Sequence, residues 1–409
     1  MNLLIKPCLQ FISLVVAVLL LSVWLDQGGI AYAGHFPWDQ GHDTFTPNPG
    51  NPPGPGPGCN NCDDSDPYTV MTGNFIYPAP RDLTIPMPAL GLAFIIERTF
   101  NSRDMRSGPL GYGWIYNYDT RLIEVTDKNQ EAIIWRRGNG TRERFNKNPD
   151  GTYIHPGNLS MALVRQGDGS FLLATKTGTQ YRFNAKGYLE ALVSRTAQVM
   201  SFAYDDTDFL TTITGPGGRP LRLEKGPNGK ISRIVDPGGR QFLYSYDAAG
   251  NLTGFTDPAG QITSYTYDAN HRLISVRDPR GTEVQRLSYD SQGRVASLLQ
   301  DGERLTISYV PSQKKTERRD SSNRLWSFFY NDNGNIIKIV YPYGVTDEFL
   351  YDANYLLVGF KRNGNIIWQI TYDAQGNPAA VTRGGQTVRY AYTPDYNNLA
   401  SFTDANGIV

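Results

Sequence analysis

The stretch "YDAAGNLTGFTDPAG", from Tyr246 to Gly260, contains two turn signals about ten residues apart. The first, Y-D-x-x-G-N-L, suits a β-hairpin whose type I turn places Gly250 in the left-handed position of a bulge. Its aspartate can cap the turn through the side chain. The second, D-P-x-G, has the residues that a type I turn prefers at its first, second and fourth positions. Strands of about five to seven residues fit between the signals, so the stretch predicts one β-hairpin.

This hairpin signature is one copy of an internal repeat. From Tyr246 to Tyr392, successive repeat tyrosines are separated by 21, 22, 20, 21, 21, 21 and 20 residues. Tyr204 begins an earlier copy, Phe183 begins a degenerate one, and a badly worn copy is expected near Leu223. A regular period of this length is typical of stacked structural units. We therefore predict an all-β chain that forms a long antiparallel ribbon of hairpins.

The repeated tyrosines have a structural explanation. A single hairpin is marginally stable in water, whereas stacked hairpins bury their tyrosine and leucine or isoleucine rows against their neighbours. Tyrosine can bury its ring while its hydroxyl remains hydrogen-bonded. In "QITSYTYD", alternation places Tyr265 and Tyr267 on one face and Ile262 on the other. We assign structural roles in the repeat to Tyr246, Asp247, Tyr267, Asp268, Tyr289, Asp290, Tyr351, Asp352, Tyr372 and Asp373.

The N-terminus is typical of an export signal. Lys6 precedes an apolar run from Phe11 to Leu25, and Ala31-Tyr32-Ala33 fits a cleavage site. An uncleaved membrane anchor is the alternative, but a span needs about 18 or more apolar residues. We therefore predict that residues 1–33 are a signal peptide and that the mature chain is secreted or on the cell surface. No stable membrane span is then expected after signal removal.

Residues 34–65 are predicted to be a linker, because the run "PNPGNPPGPGPG" cannot build a core. Cys59 and Cys62 follow it in the pattern C-N-N-C, which in an exported chain most simply forms a small disulfide loop. A zinc site would need a second Cys or His pair. A redox C-x-x-C would be expected before a helix, and "DDSDP" follows instead.

Charge and motif content argue against several function classes. The formal net charge is zero and no basic stripe is present, so we expect no nucleic-acid partner. Neither G-x-S-x-G nor H-E-x-x-H occurs, and we find no catalytic constellation. His155 and His271 lie in turn-like surroundings, where we expect satisfied surface histidines. The sequence thus predicts a chain that is not an enzyme and that needs neither cofactor nor metal.

The repeat resembles the YD repeat of rearrangement-hotspot (RHS) proteins, which also occurs in teneurins and in the shell subunit of insecticidal toxin complexes. The stretches "TGNF", "DLTIP", "FIIERTFNS", "GPLGYGW" and "NYD" resemble the module of unknown function that precedes the repeats in many bacterial RHS proteins. The resemblance implies an N-terminal module over 66–140, a worn β-rich segment over 141–180 and YD repeats over 181–409.

The resemblance also implies a function. In this family the hairpins wind into a cocoon-like shell around a C-terminal toxic domain, so we expect an exported shell portion of a polymorphic toxin. Its partners would be a downstream toxin domain or other shell segments. The self-cleaving D-P-x-G-R-F/Y segment has no match, and the sequence stops within a repeat, which leads us to expect a fragment or the product of a split gene.

Two other functions are open on the sequence. A cell-surface carbohydrate-binding or adhesion protein would use exposed tyrosines to stack on surface glycans. A carbohydrate hydrolase would need paired carboxylates outside the repeat positions, and we can name none. The identity of a toxin, its target cell, the secretion system and the oligomeric state are not encoded in these patterns.

Overall fold

The computed structural model describes Thr69 and residues 71–87, 92–127, 130–155, 161–175, 178–300, 302–353, 356–374, 376–394 and 399–408. All of them belong to the compact unit Asp43–Val409. The predicted signal peptide with Ala31 and Ala33, the linker, and the predicted disulfide of Cys59 and Cys62 lie outside the described residues. Within the described ranges, no helix has the length and apolar character needed to cross a membrane.

Nearly all regular structure in the described residues is β. Two short 3-10 turns, Pro311–Gln313 and Pro342–Gly344, interrupt the succession of strands. The strands are β1 (Ile76–Pro78), β2 (Leu83–Met87), β3 (Leu92–Ile96), β4 (Arg98–Asn101), β5 (Ser107–Gly108), β6 (Gly111–Tyr112), β7 (Trp114–Tyr116), β8 (Arg121–Asp127), β9 (Gln130–Arg136), β10 (Arg142–Lys147), β11 (Tyr153–Ile154), β12 (Ala162–Arg165), β13 (Phe171–Ala174), β14 (Gln180–Phe183), β15 (Leu189–Val193), β16 (Val199–Tyr204), β17 (Leu210–Thr214), β18 (Pro220–Lys225), β19 (Ile231–Val235), β20 (Gln241–Tyr246), β21 (Leu252–Thr256), β22 (Ile262–Tyr267), β23 (Leu273–Arg277), β24 (Glu283–Tyr289), β25 (Val295–Gln300), β26 (Glu303–Val310), β27 (Lys315–Arg319), β28 (Leu325–Tyr330), β29 (Ile336–Val340), β30 (Thr346–Tyr351), β31 (Leu357–Arg362), β32 (Asn365–Tyr372), β33 (Pro378–Arg383), β34 (Gln386–Tyr392) and β35 (Leu399–Thr403).

The strands form one large sheet and three small ones. Strands β8 to β35 form an antiparallel sheet in which each strand pairs with the next along the chain, as successive hairpins require. We call it the repeat sheet. Strands β1 to β7 form small sheets of order β1-β4-β7, β2-β3 and β5-β6, and we call residues 71–118 the N-terminal module. The predicted all-β class, a β-rich module followed by a hairpin ribbon, is confirmed.

Both turn signals have the geometry expected from their residues. In the first, the amide of Gly250 donates to the carbonyl of Asp247 at 3.1 Å, and Gly250 has φ +86°. The register shifts between Ser245 and Tyr246, which is the predicted bulge. In the second, the amide of Gly260 donates to the carbonyl of Asp257 at 2.9 Å, with φ +78° at Gly260. The predicted left-handed glycine is therefore confirmed at Gly250, and Gly260 of the second turn has the same conformation.

The worn copy expected near Leu223 is present, with Lys225 at the repeat position. Lys225 pairs with Ile231 at a register shift, just as Tyr246 pairs with Leu252. It lies 21 residues after Tyr204 and 21 before Tyr246. A lysine thus occupies the tyrosine position, and its ammonium donates to the Asp205 Oδ2 at 2.6 Å. The hairpin is retained because pairing and turn chemistry, and not the tyrosine, determine its backbone.

The first strand of the repeat sheet folds back against a later turn. Arg121 forms an isolated antiparallel bridge with Tyr188, and the amide of Leu122 donates to the carbonyl of Gly187 at 2.9 Å. A Cβ added at Gly187 would lie 2.2 Å from the Leu122 carbonyl oxygen, so only glycine permits this approach. The first two residues of β8 are thereby paired on the side opposite β9, which shortens the edge available to another chain.

The two faces of the repeat sheet differ in burial. In β22 the side chain of Tyr265 is 2% exposed and that of Ile262 is 54% exposed, which confirms the predicted alternation. We call the face that carries Tyr265 and the repeat tyrosines the ladder face. The module's Phe100 and Trp114 belong to the same apolar core as this face.

Candidate functional site: the ladder face and its bound N-terminal module

The repeat tyrosines connect successive hairpins through a recurring hydrogen bond. The hydroxyl of Tyr267 donates to the carbonyl of Leu252 at 2.6 Å. Leu252 is the first residue of β21, the second strand of the preceding hairpin. Equivalent bonds join Tyr204 to Leu189, Tyr246 to Ile231, Tyr289 to Leu273, Tyr309 to Val295, Tyr351 to Ile336, Tyr372 to Leu357 and Tyr392 to Pro378. We call this set the tyrosine ladder.

The ladder tyrosines are buried as well as hydrogen-bonded. Burial raises the pKa of Tyr372 to about 12, and burial raises the pKa of Tyr246 further. Their hydroxyls therefore remain protonated donors at neutral pH. Each ladder bond supplies a donor to a strand-end carbonyl at the register shift, where the regular pairing is disrupted.

Tyr351→Phe is expected to lower the free energy of unfolding by about 1 kcal/mol, because the Ile336 carbonyl loses the donor that Tyr351 supplies at 3.1 Å. Urea denaturation followed by circular dichroism measures this change. Tyr343→Phe is the matched control, since the Tyr343 side chain is 92% exposed and should change stability very little. Equal effects from the two variants would contradict the role given to the ladder.

The turn aspartates organise the loop that follows each repeat tyrosine. The Oδ1 atom of Asp268 accepts from the amides of Asn270 and Arg272, both at 2.9 Å, while its Oδ2 accepts from the Arg272 Nε at 2.7 Å. Asp290 makes the same contacts with Gln292 and Arg294. The predicted residues Asp247, Asp352 and Asp373 each accept from the amide four residues later.

The aspartate turns predict a loss of stability in acid. Burial opposes the charged form of Asp268, but hydrogen bonds from Arg272 and the turn amides lower the pKa of its carboxyl below the usual value. Asp290 has a lowered pKa through the same opposing causes. A depressed folded-state pKa gives stability that is present above the unfolded pKa of about 3.9 and is lost as pH falls through the folded value. We therefore expect the free energy of unfolding to decrease below about pH 4.

A double variant, Asp268→Asn with Asp290→Asn, tests this expectation. Asn331 shows that asparagine can cap the same turn, because its Oδ1 accepts from the amides of Asn333 and Asn335 at 3.0 Å each. The double variant should therefore fold and should lose less stability between pH 7 and pH 3 than the unmodified chain. Urea titrations at the two pH values provide the comparison. An unchanged pH dependence would show that other groups cause the acid sensitivity.

The N-terminal module inserts an aromatic anchor into the ladder face. Trp114 is 2% exposed, and its ring meets that of Tyr265 edge-on with centroids 5.0 Å apart. Its indole Nε1 donates to the hydroxyl of Tyr267 at 2.7 Å. Phe100 of the module packs edge-on against Trp114 and lies near Tyr267. Tyr267 thus belongs to the tyrosine ladder and to the contact with the module.

A buried ion pair lies beside this anchor. The Arg98 Nε donates to the Asp82 Oδ2 at 2.5 Å, the Nη2 donates to the Asp82 Oδ1 at 2.8 Å, and both side chains are 1% exposed. The Tyr244 hydroxyl donates to the Asp82 Oδ2 at 2.8 Å, and the Arg98 Nη2 donates to the Tyr265 hydroxyl at 3.2 Å. Burial alone would lower the pKa of Arg98, but the Asp82 charge raises it well above its usual value.

Aromatic rings surround the Arg98 guanidinium. Its Cζ lies 4.7 Å from the ring centre of Phe255 and 5.1 Å from that of Trp114, within cation–π range. The Nη1 atom is buried without a hydrogen-bond partner among the described residues. The module therefore contributes a charge pair whose remaining contacts are made by aromatic side chains of the module and of the ladder face.

Backbone hydrogen bonds join the N-terminal module to several hairpins of the repeat sheet. The amide of Val295 donates to the carbonyl of Gly73 at 3.0 Å, and the amide of Ile231 donates to the carbonyl of Pro109 at 2.8 Å. Tyr112 stacks on the His271 ring with centroids 3.8 Å apart. Module and repeat sheet thus share one hydrogen-bonded interface.

The ladder face of the last strands is less covered. Its apolar side chains pair across strands, as Phe349 does with Phe360 and Tyr390 with Phe402. These side chains are half-buried, whereas Tyr244 and Tyr265 under the module are almost fully buried. The set, which we call the open ladder face, comprises the half-buried Phe349, Phe360, Trp368, Val381, Tyr390 and Phe402 and the buried Ile370.

The histidine prediction needs correction. His155 is 3% exposed, and its Nε2 lies 3.2 Å from the Glu143 Oε2. His271 is half-buried, has its Nδ1 2.7 Å from the Asn251 Oδ1, and occupies the left-handed turn position with φ +61°. His155 is therefore a buried histidine and not a surface one, whereas His271 is partly exposed and has the expected polar partner. Among the described residues, no group of three or more His, Cys, Asp or Glu side chains is arranged to hold a metal ion.

Several site residues were missed from the sequence, namely Asp82, Arg98, Trp114, Tyr112 and the open ladder face. Their partners are far away in the chain, so local patterns do not connect them. The stretch "FIIERTFNS" carried one signal, an arginine within an apolar run.

Family models match the two parts of this interface. Residues 65–145 match the Domain of unknown function (DUF6531), and residues 227–260, 246–283 and 267–306 match the RHS Repeat. The first match includes the N-terminal module, and the second includes the hairpins that carry Ile231, Tyr265, Tyr267 and Val295, which contact the module.

Curated and solved proteins share parts of the chain. It is 32% identical over 141 residues to "tRNA nuclease WapA" of Bacillus subtilis (strain 168) and to "tRNA3(Ser)-specific nuclease WapA" of Bacillus spizizenii. Each alignment covers 34% of this chain, which spans 6% of the length of either relative. A structure described as "Crystal Structure of TcdB2-TccC3-Cdc42" has a TM-score of 0.41 at 11% identity, covering 80% of this chain and 21% of that chain.

These matches agree with the repeat and the module inferred from the residues. The matched repeat region contains tyrosines about 21 residues apart, bonds of the tyrosine ladder and aspartate turns, and the N-terminal module lies within the range that matches DUF6531. The chain thus carries a region that matches DUF6531, followed by RHS repeats of the YD type within an antiparallel sheet.

Proposed function

We propose that this chain is an exported, non-catalytic shell segment of an RHS-type polymorphic toxin, and that its ladder face encloses an effector domain. The observation that carries the proposal is the open ladder face. Half-buried aromatic and aliphatic side chains continue the surface on which the module is seated, and apolar area of this kind is stabilised when a partner covers it.

The module provides a precedent for such a partner within the same chain. It is held by edge-on aromatic contacts, ladder hydroxyls and strand-end amides, all of which the repeat supplies again at later positions. Tyr372 and Tyr392 have the ladder bonds that Tyr246 and Tyr267 have. The named relatives of Bacillus are nucleases, and this supports the association of such repeats with toxins.

A binding experiment tests the proposal. The polypeptide encoded directly after Val409 is co-expressed with this chain, and the complex is isolated through a tag on the chain. Retention by the unmodified chain and loss with Trp368→Glu are expected. Ile262→Glu is the matched control, since Ile262 is on the opposite face and 54% exposed. No retention by the unmodified chain, or equal retention by both variants, would contradict enclosure.

Export and domain boundaries are part of the proposal. We propose cleavage after Ala33, a linker over 34–65, an N-terminal RHS-associated domain over 66–140, a worn β-rich segment over 141–180 and YD repeats over 181–409. N-terminal mass spectrometry of the extracellular protein should find Gly34 as the first residue. A cell-associated chain that begins at Met1 would contradict export.

Glycan binding is the rival function. The abundance of tyrosine suggests glycan binding, but most of the repeat tyrosines form ladder bonds between hairpins. A glycan array with the unmodified chain separates the two functions. Saturable binding that is lost when exposed aromatic residues such as Tyr343 are replaced would favour the rival.

A further inference from the structure

Three arginines form a row across the first strands of the repeat sheet. Arg121 of β8 pairs with Arg136 of β9, which pairs with Arg142 of β10. Directly paired residues of an antiparallel sheet project to the same face, with Cβ atoms about 4.5–5.5 Å apart. Like charges in such positions repel each other, so a row of three guanidinium groups needs a compensating partner.

Two nearby carboxylates supply only part of this compensation. The Arg136 Nη2 donates to the Asp119 Oδ1 at 2.6 Å. Asp104 is engaged by Arg106, whose Nε donates to its Oδ1 at 2.9 Å. The four arginines of this cluster, Arg106, Arg121, Arg136 and Arg142, therefore face two carboxylates, Asp104 and Asp119.

Unsatisfied donors mark the same place. The Nε atoms of Arg121, Arg136 and Arg142 are buried without hydrogen-bond partners among the described residues. The Arg136 side chain is 10% exposed. A buried guanidinium N–H without an acceptor is costly, more so than a neutral donor, because the group carries charge.

The electrostatic environment agrees with an excess of positive charge. Burial, followed by the charge of Arg106, lowers the pKa of Arg142, while the Asp104 carboxylate opposes the change. Burial also lowers the pKa of Arg136, which Asp119 opposes and Arg106 reinforces. The Arg106 side chain is 37% exposed, so this part of the cluster is accessible to solvent.

We propose that this cluster, Arg106, Arg121, Arg136 and Arg142 with Asp104 and Asp119, binds an oxyanion of the phosphate or sulfate class. Such an anion brings several acceptor oxygens and negative charge, and guanidinium groups bind it through paired N–H donors. It would join residues of the module to the first three strands of the repeat sheet.

Thermal unfolding of the full chain with inorganic phosphate tests the proposal, in chloride buffers of matched ionic strength. Phosphate and sulfate stabilise most proteins at high concentration by exclusion from the surface, so a saturable rise in melting temperature at millimolar phosphate is the expected result. Glycerol phosphate in a parallel titration distinguishes a free ion from a phosphate group on a larger ligand. A melting temperature that rises linearly with phosphate, without saturation, would overturn the proposal.

Variants make the test specific. Arg142→Gln should weaken phosphate affinity about tenfold or more, because it removes a charged donor while Arg136 and Asp119 remain paired. Arg222→Gln is the control, since Arg222 is an exposed arginine of β18 outside the cluster, and its phosphate response should equal that of the unmodified chain. Calorimetric titration of the unmodified chain is independent of the folding of any variant, and absence of binding heat at millimolar phosphate would also overturn the proposal.

Discussion

Arg98→Ala is expected to lower the free energy of unfolding by about 3–5 kcal/mol, the range found when one partner of a buried ion pair is removed. The change leaves Asp82 charged at 1% exposure, with only the Tyr244 hydroxyl as a strong remaining side-chain donor. It also removes the cation–π contacts with Phe255 and Trp114. Denaturation monitored by tryptophan fluorescence reports the loss directly, because Trp114 is in the affected contact.

Arg81→Ala is the matched control within the same module. Arg81 pairs with Glu97 at 3.5 Å, but the two side chains are 44% and 37% exposed. Exposed ion pairs contribute about 0–1 kcal/mol, so this variant should be nearly as stable as the unmodified chain. Similar destabilisation by the two variants would show that the Arg98 pair is not the anchor of the module.

Gly111→Ala is expected to destabilise the chain by about 1–3 kcal/mol more than Gly260→Ala does, because it adds overpacking to backbone strain. Both glycines have positive φ, at +91° and +78°, so both variants carry the strain of a left-handed alanine. Only an alanine at Gly111 would contact a neighbouring segment of the chain. A Cβ there would lie 2.6 Å from the carbonyl oxygen of Gly250, whereas a Cβ at Gly260 would meet nothing within 4 Å.

The comparison isolates the contact between module and sheet from local turn strain. Urea denaturation of the two variants measures the difference in free energy of unfolding. Equal destabilisation would mean that both variants lose stability through backbone strain alone. The close contact between Gly111 and Gly250 would then contribute nothing to stability.

Local chemistry explains which parts of the fold the sequence predicts. Asp247 and Gly250 determine a turn within four residues, and this short range makes the hairpins and their period predictable. Lys225 shows the limit of pattern matching, since the hairpin persists where the tyrosine is replaced and the turn chemistry remains. His155 was misjudged because its burial depends on pairing with Glu143 on another strand.

The module interface depends on contacts that no local pattern contains. Arg98 and Tyr265 are 167 residues apart in sequence, and Trp114 and Tyr267 are 153 apart. The repeat tyrosine could be assigned to packing from its spacing, but its hydroxyl partner and the module that uses Tyr267 could not. Long-range complementarity of this kind becomes visible only when both surfaces are in place.

The central claim is that the N-terminal module is seated on the ladder face as part of one folded structure. Residue-level amide hydrogen exchange at Ile231 and Val295 tests it most directly, because these amides donate to the module carbonyls of Pro109 and Gly73. We predict slow exchange of both in the unmodified chain and in Arg81→Ala, and clearly faster exchange in Arg98→Ala. Fast exchange in the unmodified chain, or no change on replacing Arg98, would contradict the claim.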